Sequence, residues 1–360
     1  MTNILITGGL GYIGSHTIVE IYTTYQKYKI IVIDNLSNSS VDIIPNIEKL
    51  IYPNEIIFYK GDLLNNELLI DIFNNHHIEV VIHFASLKSV SQSVSDPLLY
   101  YHNNIGGTLN LLNVMDKFNV RKLIFSSSAT VYGFQQAPFT EDSQTGINIT
   151  NPYGKTKFLI EEILKDLKHW NIIILRYFNP IGAHESGLIG ENPIGIPNNL
   201  MPFLLNVSLY HKTNPDYNHL KIFGSDYLTA DGTCIRDYIH VVDLADAHIK
   251  SVDKLLSMNN NLTKIKIYNL GSGKGHSVCD LLNTFKVVNN VDIPHKFYPR
   301  RVGDIDISYC IADKAFKELG WKAEKTIEDM CRDSWNFVKQ HVVKPHYLIN
   351  PHVFVKQHEI

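Results

Sequence analysis

The sequence predicts a doubly wound α/β fold, a parallel sheet covered by helices on both faces, with a smaller loop-rich lobe appended. Three observations predict it. Short, near-continuous apolar runs alternate with stretches of helical period from residue 4 to residue 179, the pattern of strands buried on both faces and their crossover helices. A run of glycines follows the first of those strands at once. The 360 residues are 44% hydrophobic and 19% charged, a balance that fills one large or two modest cores and excludes a disordered chain.

Taken in order, Ile4, Leu5 and Ile6 form the first strand. Gly8, Gly11 and Gly14 follow as a Gly-x-x-Gly-x-x-Gly run at the turn into a helix. Glycine there lets the backbone turn tightly and approach a pyrophosphate seated at the positive helix N-terminus. Residues 30–33 are the second strand, which ends in Asp34 and Asn35, with Asp34 twenty residues past Gly14. An acid at that place binds a ribose diol and repels a 2′-phosphate, so a Rossmann-type site selecting NAD over NADP is expected. Residues 56–59 are the third strand and lead to Gly61 and Asp62; residues 80–85 are the fourth, followed by a loop with Lys88. Residues 103–108 open a helix carried on by Leu109, Leu112 and Val114. The fifth strand, residues 122–125, runs into Ser126, Ser127 and Ser128. Ligands of such sheets bind beyond the carboxyl ends of the strands, where these hydroxyls fall.

Asn151 suits an N-cap and Pro152 the first helical position of the next helix. Ile160, Ile163, Leu164 and Leu167 give it one buried stripe. Tyr153 and Lys157, four residues apart, share a face. A free tyrosine titrates near 10, and bringing it near 7 takes roughly 4 kcal/mol. One ammonium at about 6 Å supplies roughly 3 kcal/mol at an effective dielectric near 20. A second positive charge is therefore needed, and an oxidised nicotinamide would provide it. Residues 172–179 are the sixth strand. Beyond them Pro and Gly become frequent and the alternation stops, which marks a lobe of long loops, a common seat of substrate recognition. Arg236, Arg300 and Arg301 lie in it, and arginine suits a bidentate grip on diphosphate.

A formal net charge of −3 gives no basic footprint for nucleic acid or an acidic membrane. Cys234, Cys279, Cys310 and Cys331 show neither Cys-x-x-Cys pairing nor zinc spacing, so no metal is expected and the thiols are expected to be reduced. Residues 1–6 run straight into a strand without a basic leader, and no apolar run is long enough to span a membrane. A cytoplasmic protein is expected. The histidines are scattered, with His76, His77 and the C-terminal ones expected to face solvent.

The glycine run, Asp34, the three serines, and Tyr153 with Lys157 resemble the extended short-chain dehydrogenase/reductase family. Longer strings, among them Gly11-Tyr12-Ile13-Gly14-Ser15-His16, residues 125–133, Arg176-Tyr177-Phe178-Asn179-Pro180, residues 195–202 and residues 236–241, are similar to its UDP-galactose 4-epimerase branch over about residues 3 to 340. The resemblance implies that Tyr153 is the catalytic base, Lys157 its electrostatic partner and a ribose ligand, and that Ser128 bonds the reacting sugar hydroxyl. It implies NAD lined by Gly8, Gly11, Tyr12, Ile13, Gly14, Asp34, Asn35, Asp62, Phe84, Lys88, Asn103 and Tyr177. A UDP-hexose would be held by Asn179, Asn199, Leu200, Phe223, Arg236, Arg301 and Asp304. Residues 1–179, joined by part of 237–270, would form the NAD domain, and the rest of 180–360 the UDP-sugar lobe. A homodimer is implied, and no second, mutarotase-like domain is expected.

Three other readings stand beside this one. A nucleotide-sugar 4,6-dehydratase shares the fold, Tyr and Lys, but related lyases carry an Asp-Glu pair just after the serine/threonine site, where this chain has Ala129 and Thr130. A UDP-glucuronate decarboxylase would want an additional positive pocket, and no extra Arg or Lys marks one. A catalytically silent NAD-binding protein would not need Ser128, Tyr153 and Lys157 together. Within the resemblance, Ser308 falls where the family flanks the hexose, bulky in members confined to glucose and galactose and small in those that also take N-acetyl sugars. The small side chain implies room for a 2-acetamido group.

Overall fold

Alternation within each strand decides the architecture. In β1 (Thr2–Thr7), Ile4 and Ile6 belong to one apolar cluster and Leu5 to another, because successive strand residues face opposite sides of a sheet. In β2 (Tyr28–Asp34), Ile30 and Val32 are divided from Ile31 and Ile33 in the same way. Both faces therefore need cover, and helices supply it.

The computed structural model describes residues 2–342 except Gln26, residues 259–262 and Val302. α1 (Tyr12–Thr24) joins β1 to β2, α2 (Ile44–Ile51) leads to β3 (Ile57–Lys60), and α3 (Asn66–Asn75) leads to β4 (Ile78–His83). α4 (Val90–Ser95), α5 (Pro97–Tyr100) and α6 (Gly107–Lys117) precede β5 (Lys122–Ser128), and α7 (Pro152–Asp166) precedes β6 (Asn171–Tyr177). Then come β7 (Asn179–Ile181), α8 (Leu200–Tyr210), β8 (Leu220–Phe223), β9 (Ile235–His240), α9 (Val241–Ser257) and β10 (Lys264–Leu270). β11 (Gly275–Ser277), α10 (Val278–Asn289), β12 (His295–Tyr298), β13 (Ile307–Ser308), α11 (Asp313–Leu319) and α12 (Ile327–Val342) follow.

Seven strands form one sheet in the order β10-β6-β5-β4-β1-β2-β3, all neighbours parallel. The order reverses between β1 and β4, so the carboxyl ends of those two strands open the crevice in which such sheets bind ligands. One face is covered by α1, α2, α9 and α11 through residues such as Ile18, Ile47, Leu244 and Ala315. The other is covered by α3, α6 and α7 through Leu69, Leu111, Ile160 and Leu164, each worth about 1.5–3 kcal/mol as a fully buried side chain. A smaller assembly pairs β9 with β7, β11 and β13, and β8 with β12. Leu204, Leu281, Phe285 and Met330 join α8, α10 and α12 in its core.

Several boundaries differ from the sequence expectation. The fourth strand ends at His83 rather than residue 85, because the N–H groups of Phe84 and Ala85 both donate to the Thr7 carbonyl (3.0 and 3.1 Å) and turn the chain off the sheet. The helix expected to open at residue 103 begins at Pro97, where the Asp96 carboxylate accepts from the Leu99 N–H. It passes through a π-helical turn, Tyr101–Gly106, into α6. The wider turn accompanies buried Asn104, whose amide spans the Leu87 backbone (2.8 and 3.1 Å) and the Thr156 hydroxyl (3.1 Å). Asn179 leaves the sixth strand and starts β7, which pairs with β9 instead. His77 is exposed, but His76 is half-buried with Nε2 2.8 Å from the Tyr59 hydroxyl; His346, His352 and His358 lie outside the described residues. All four cysteines are free. Among the described residues no helix is long and apolar enough to cross a membrane, and no group of three His, Cys, Asp or Glu side chains is arranged to hold a metal.

Candidate active site

The site is built where α7 starts against the end of β5. Asn151 caps α7, its Oδ1 accepting from the Gly154 N–H at 2.8 Å, and Pro152 opens the first turn. Tyr153 and Lys157 then lie one turn apart, with Nζ 5.9 Å from the Tyr153 ring centroid. Lys157 is buried and donates to the Ser126 carbonyl at 2.7 Å, which ties the helix to the strand. Ser128 ends the strand and caps a short 3-10 turn, Ala129–Tyr132. Its Oγ accepts from the Thr130 N–H (3.2 Å) and from the Thr130 hydroxyl (3.0 Å).

Burial dominates the electrostatics. It pushes the Tyr153 phenol up to about 12, against the pull of the Ser128 hydroxyl, which bonds it. Burial also lowers Lys157 to about 7, while the nearby Glu161 carboxylate pulls it up. The charge deficit estimated from the sequence is therefore larger in the folded protein: the lysine alone does not make a phenolate. Glu161 is itself fully buried, taking a 2.5 Å bond from the Ser127 hydroxyl and bonds of 2.6 and 3.0 Å from Arg176.

On the cofactor side, Gly8 has φ +68, and a Cβ there would lie 2.7 Å from the Ala85 nitrogen. A Cβ on Gly14 would lie 2.6 Å from the Gly8 carbonyl oxygen. Gly11 occupies the N-cap of α1 without a capping side chain, and Tyr12 and Ile13 begin that helix. The cradle fits a dinucleotide pyrophosphate, since only glycine leaves it open. Asp34 ends β2 and accepts from the Leu10 N–H at 3.1 Å, the Leu36 N–H at 2.9 Å and the Ser39 hydroxyl at 2.9 Å, so it also shapes the glycine loop. Asn35 donates to Asp62 at 2.7 Å. Phe84 packs its ring 4.8 Å from that of His248, whose Nε2 is 2.5 Å from the Tyr177 hydroxyl. The Asn103 amide donates to Asn104 at 2.9 Å, and the Tyr12 hydroxyl to the Gly182 carbonyl at 2.7 Å. Lys88 pairs with Glu191 at 2.7 Å, and Glu191 also accepts from Asn199 at 3.5 Å.

The remaining residues form a second group. Arg236 on β9 and Ser308 on β13 are partners in register. Arg236 approaches Asp304 at 3.9 Å and Arg301 bonds Asp304 at 3.0 Å, while the Arg301 guanidinium covers the Phe223 ring at 4.9 Å. Asn199 and Leu200 open α8, and Asn179 is exposed at the start of β7. A Cβ on Gly303 would lie 3.2 Å from the Thr150 Cβ, so the loop bearing Arg301 and Asp304 adjoins the start of α7. Arg300 turns away to pair with Asp226 at 2.8 Å. Sequence reasoning set Thr130 aside as unable to move protons and gave no role to Glu161, Arg176 or Glu191. Only Glu161 carried a signal, being one turn beyond Lys157 on the same helix face.

A parallel sheet with a glycine cradle at its switch point, and a Ser, Tyr and Lys set beside it, defines an extended short-chain dehydrogenase/reductase. More narrowly, the chain belongs to the NAD dependent epimerase/dehydratase family, whose model matches residues 4–271. It is 48% identical over 344 residues to UDP-glucose 4-epimerase of Bacillus subtilis, covering 94% of this chain and 97% of that protein. It is 49% identical over 339 residues to UDP-glucose 4-epimerase of Dictyostelium discoideum, covering 93% and 95%. A solved UDP-glucose 4-epimerase from Bifidobacterium longum, in complex with NAD+ and UDP, superposes with a TM-score of 0.87 at 44% identity, covering 95% of this chain and 99% of that one.

Proposed function

We propose that this protein is an NAD-dependent isomerase that interconverts UDP-galactose and UDP-glucose by inverting sugar carbon 4, and that it also accepts the N-acetylated UDP-hexoses. The observation that supports the reading is the Ser128, Tyr153 and Lys157 set at the carboxyl end of β5, in the same parallel sheet whose first strand leads into the glycine cradle. NAD, when bound, supplies the acceptor and the donor of the carbon 4 hydride.

The chain's own residues do the rest. Tyr153 takes the proton from the carbon 4 hydroxyl and returns it, Ser128 orients that hydroxyl, and Lys157 lowers the cost of the phenolate. Gly8, Gly11, Gly14, Tyr12 and Ile13 hold the pyrophosphate, Asp34 and Asn35 a ribose, and Asp62, Phe84, Lys88, Asn103 and Tyr177 line the remaining cofactor surface. Asn179, Asn199, Leu200, Phe223, Arg236, Arg301 and Asp304 grip UDP, and Ser308 borders the hexose. Strong grip on the nucleotide with few contacts to the hexose lets the oxidised sugar rotate and present its other face while binding energy remote from the chemistry retains it. The large sheet is the NAD domain, and the assembly around β9 the UDP-sugar lobe. Ala129 and Thr130 offer no carboxylates for the second proton transfer of a dehydratase.

The four free cysteines support a reducing, cytoplasmic location. Apolar side chains left exposed on α4, α5, α6 and α7, including Val94, Leu98, Leu109 and Leu159, support a homodimer. The test of function is to incubate the purified protein with UDP-galactose and no added cofactor. We expect UDP-glucose to form without net absorbance at about 340 nm from reduced nicotinamide. Stoichiometric reduced nicotinamide, or a 4-keto-6-deoxy product, would move the protein to another reaction class.

A further inference from the structure

The Ser128 hydroxyl is held in an unusual way. A serine oxygen has two acceptor lone pairs and one proton. Here two donors point at that oxygen, the Thr130 N–H at 3.2 Å and the Thr130 hydroxyl at 3.0 Å. Both come from one residue, fixed by the 3-10 turn that Ser128 caps. With its lone pairs engaged, Ser128 has only its proton left to offer. The turn is clamped from the other side by α7: a Cβ on Gly154 would lie 3.1 Å from the Thr130 Cβ and 3.2 Å from its Oγ1. Any side chain on the residue after Tyr153 would thus press on the residue that orients Ser128.

We propose that Thr130 is a positioning residue that makes Ser128 an obligate hydrogen-bond donor, aimed at the Tyr153 oxygen and the sugar hydroxyl during proton transfer. The proposal rests on the epimerase reading for its substrate but not for its geometry. A donor fixed on the phenol oxygen favours the phenolate, the form that acts as base. If Ser128 were free to rotate, it could accept from the tyrosine and favour the phenol.

The tests are Thr130→Val, which keeps the side-chain shape and the N–H but removes the hydroxyl, and Thr130→Ser, which restores a donor. For the holoenzyme with UDP-galactose, Thr130→Val is expected to lower kcat by about 10- to 100-fold with KM changed less than about threefold, the pattern of a contact made in the transition state. The acidic limb of the kcat pH profile should move up by about half a unit or more, and Thr130→Ser should return both towards wild type. The 13Cζ resonance of Tyr153 in tyrosine-labelled holoenzyme, assigned with Tyr153→Phe, should show less phenolate at pH 9 in Thr130→Val than in wild type. An unchanged pH profile and an unchanged Tyr153 resonance in Thr130→Val would overturn the proposal. A wild-type protein without epimerase activity would remove the functional reading, and the Tyr153 resonance would still decide the role of Thr130.

Discussion

Ser308 is 7% exposed on β13 and sits in register with Arg236 of β9. On the proposed reading, a side chain at that position borders what Arg236 holds, and serine leaves room beside it. Replacing it with tyrosine should remove that room. Ser308→Tyr is expected to lower turnover of UDP-N-acetylglucosamine by about tenfold or more, with UDP-galactose turnover kept within about threefold. Parallel assays of the two substrates check this, and equal loss of both, or of neither, would contradict it. The sequence made Tyr153 and Lys157 legible because their spacing fixes a shared helix face without knowledge of the fold. The partnership of Ser308 with Arg236 was not legible, since it depends on which distant strand lies beside β9. Thr130 was set aside because it cannot move protons, which is correct chemistry; its pair of bonds to Ser128 depends on a turn that periodicity does not show.

Elements were legible where one pattern dominated, and less so where tertiary contacts override it. Every strand of the large sheet but β10 was found from its apolar run, with ends shifted by a few residues, because burial on both faces leaves little choice of residue. The start of the α5–α6 segment was missed, because Pro97 follows the polar Asp96 cap in a stretch with no clean apolar stripe. That same lack of a stripe has a consequence. Leu98 is 79% exposed and Val94 62% exposed, on helices α4 and α5 that pack against α7. Their apolar side chains face outward, where a second copy of the chain would cover them. Leu98→Glu places a charge on that face without touching the core. Sedimentation at micromolar concentration should give a dimer for the wild type and a monomer for Leu98→Glu, with the far-ultraviolet dichroism unchanged. A wild-type monomer, or a variant that remains dimeric, would remove this face as the interface.

At the scale of the whole molecule, buried histidines set how the fold responds to acid. His83 is clamped between strand and helix, with its ring nitrogens 2.7 Å from the Thr7 hydroxyl and 2.8 Å from the Thr108 hydroxyl. His248 bridges the Leu244 carbonyl and the Tyr177 hydroxyl, and His16 bonds the Tyr12 carbonyl at 2.8 Å. Burial lowers His16 and His83 to about 3 and His248 to about 4. An unfolded histidine titrates near 6.5, so as pH falls below that value the unfolded chain takes up protons that the native rings refuse. Their contribution is fully present above about 6.5 and is lost as pH falls. Glu20 acts in the opposite sense: burial raises it to about 7, so the native state takes its proton first and gains stability over the same window. Three histidines against one carboxyl leave the unfolded chain with an excess of roughly one proton near pH 6.5 that grows towards two near pH 5.5, a slope rising from about 1 to about 2.5 kcal/mol per pH unit. The urea midpoint should therefore fall clearly between pH 7.5 and pH 5.5. A flat or rising midpoint would mean that the native state already holds these protons, which the burial of His16, His83 and His248 opposes. Because His248 supports Tyr177 and Phe84, and His83 ties β4 to β1 behind the glycine cradle, the dinucleotide crevice and the stability of the fold should fail together as pH drops.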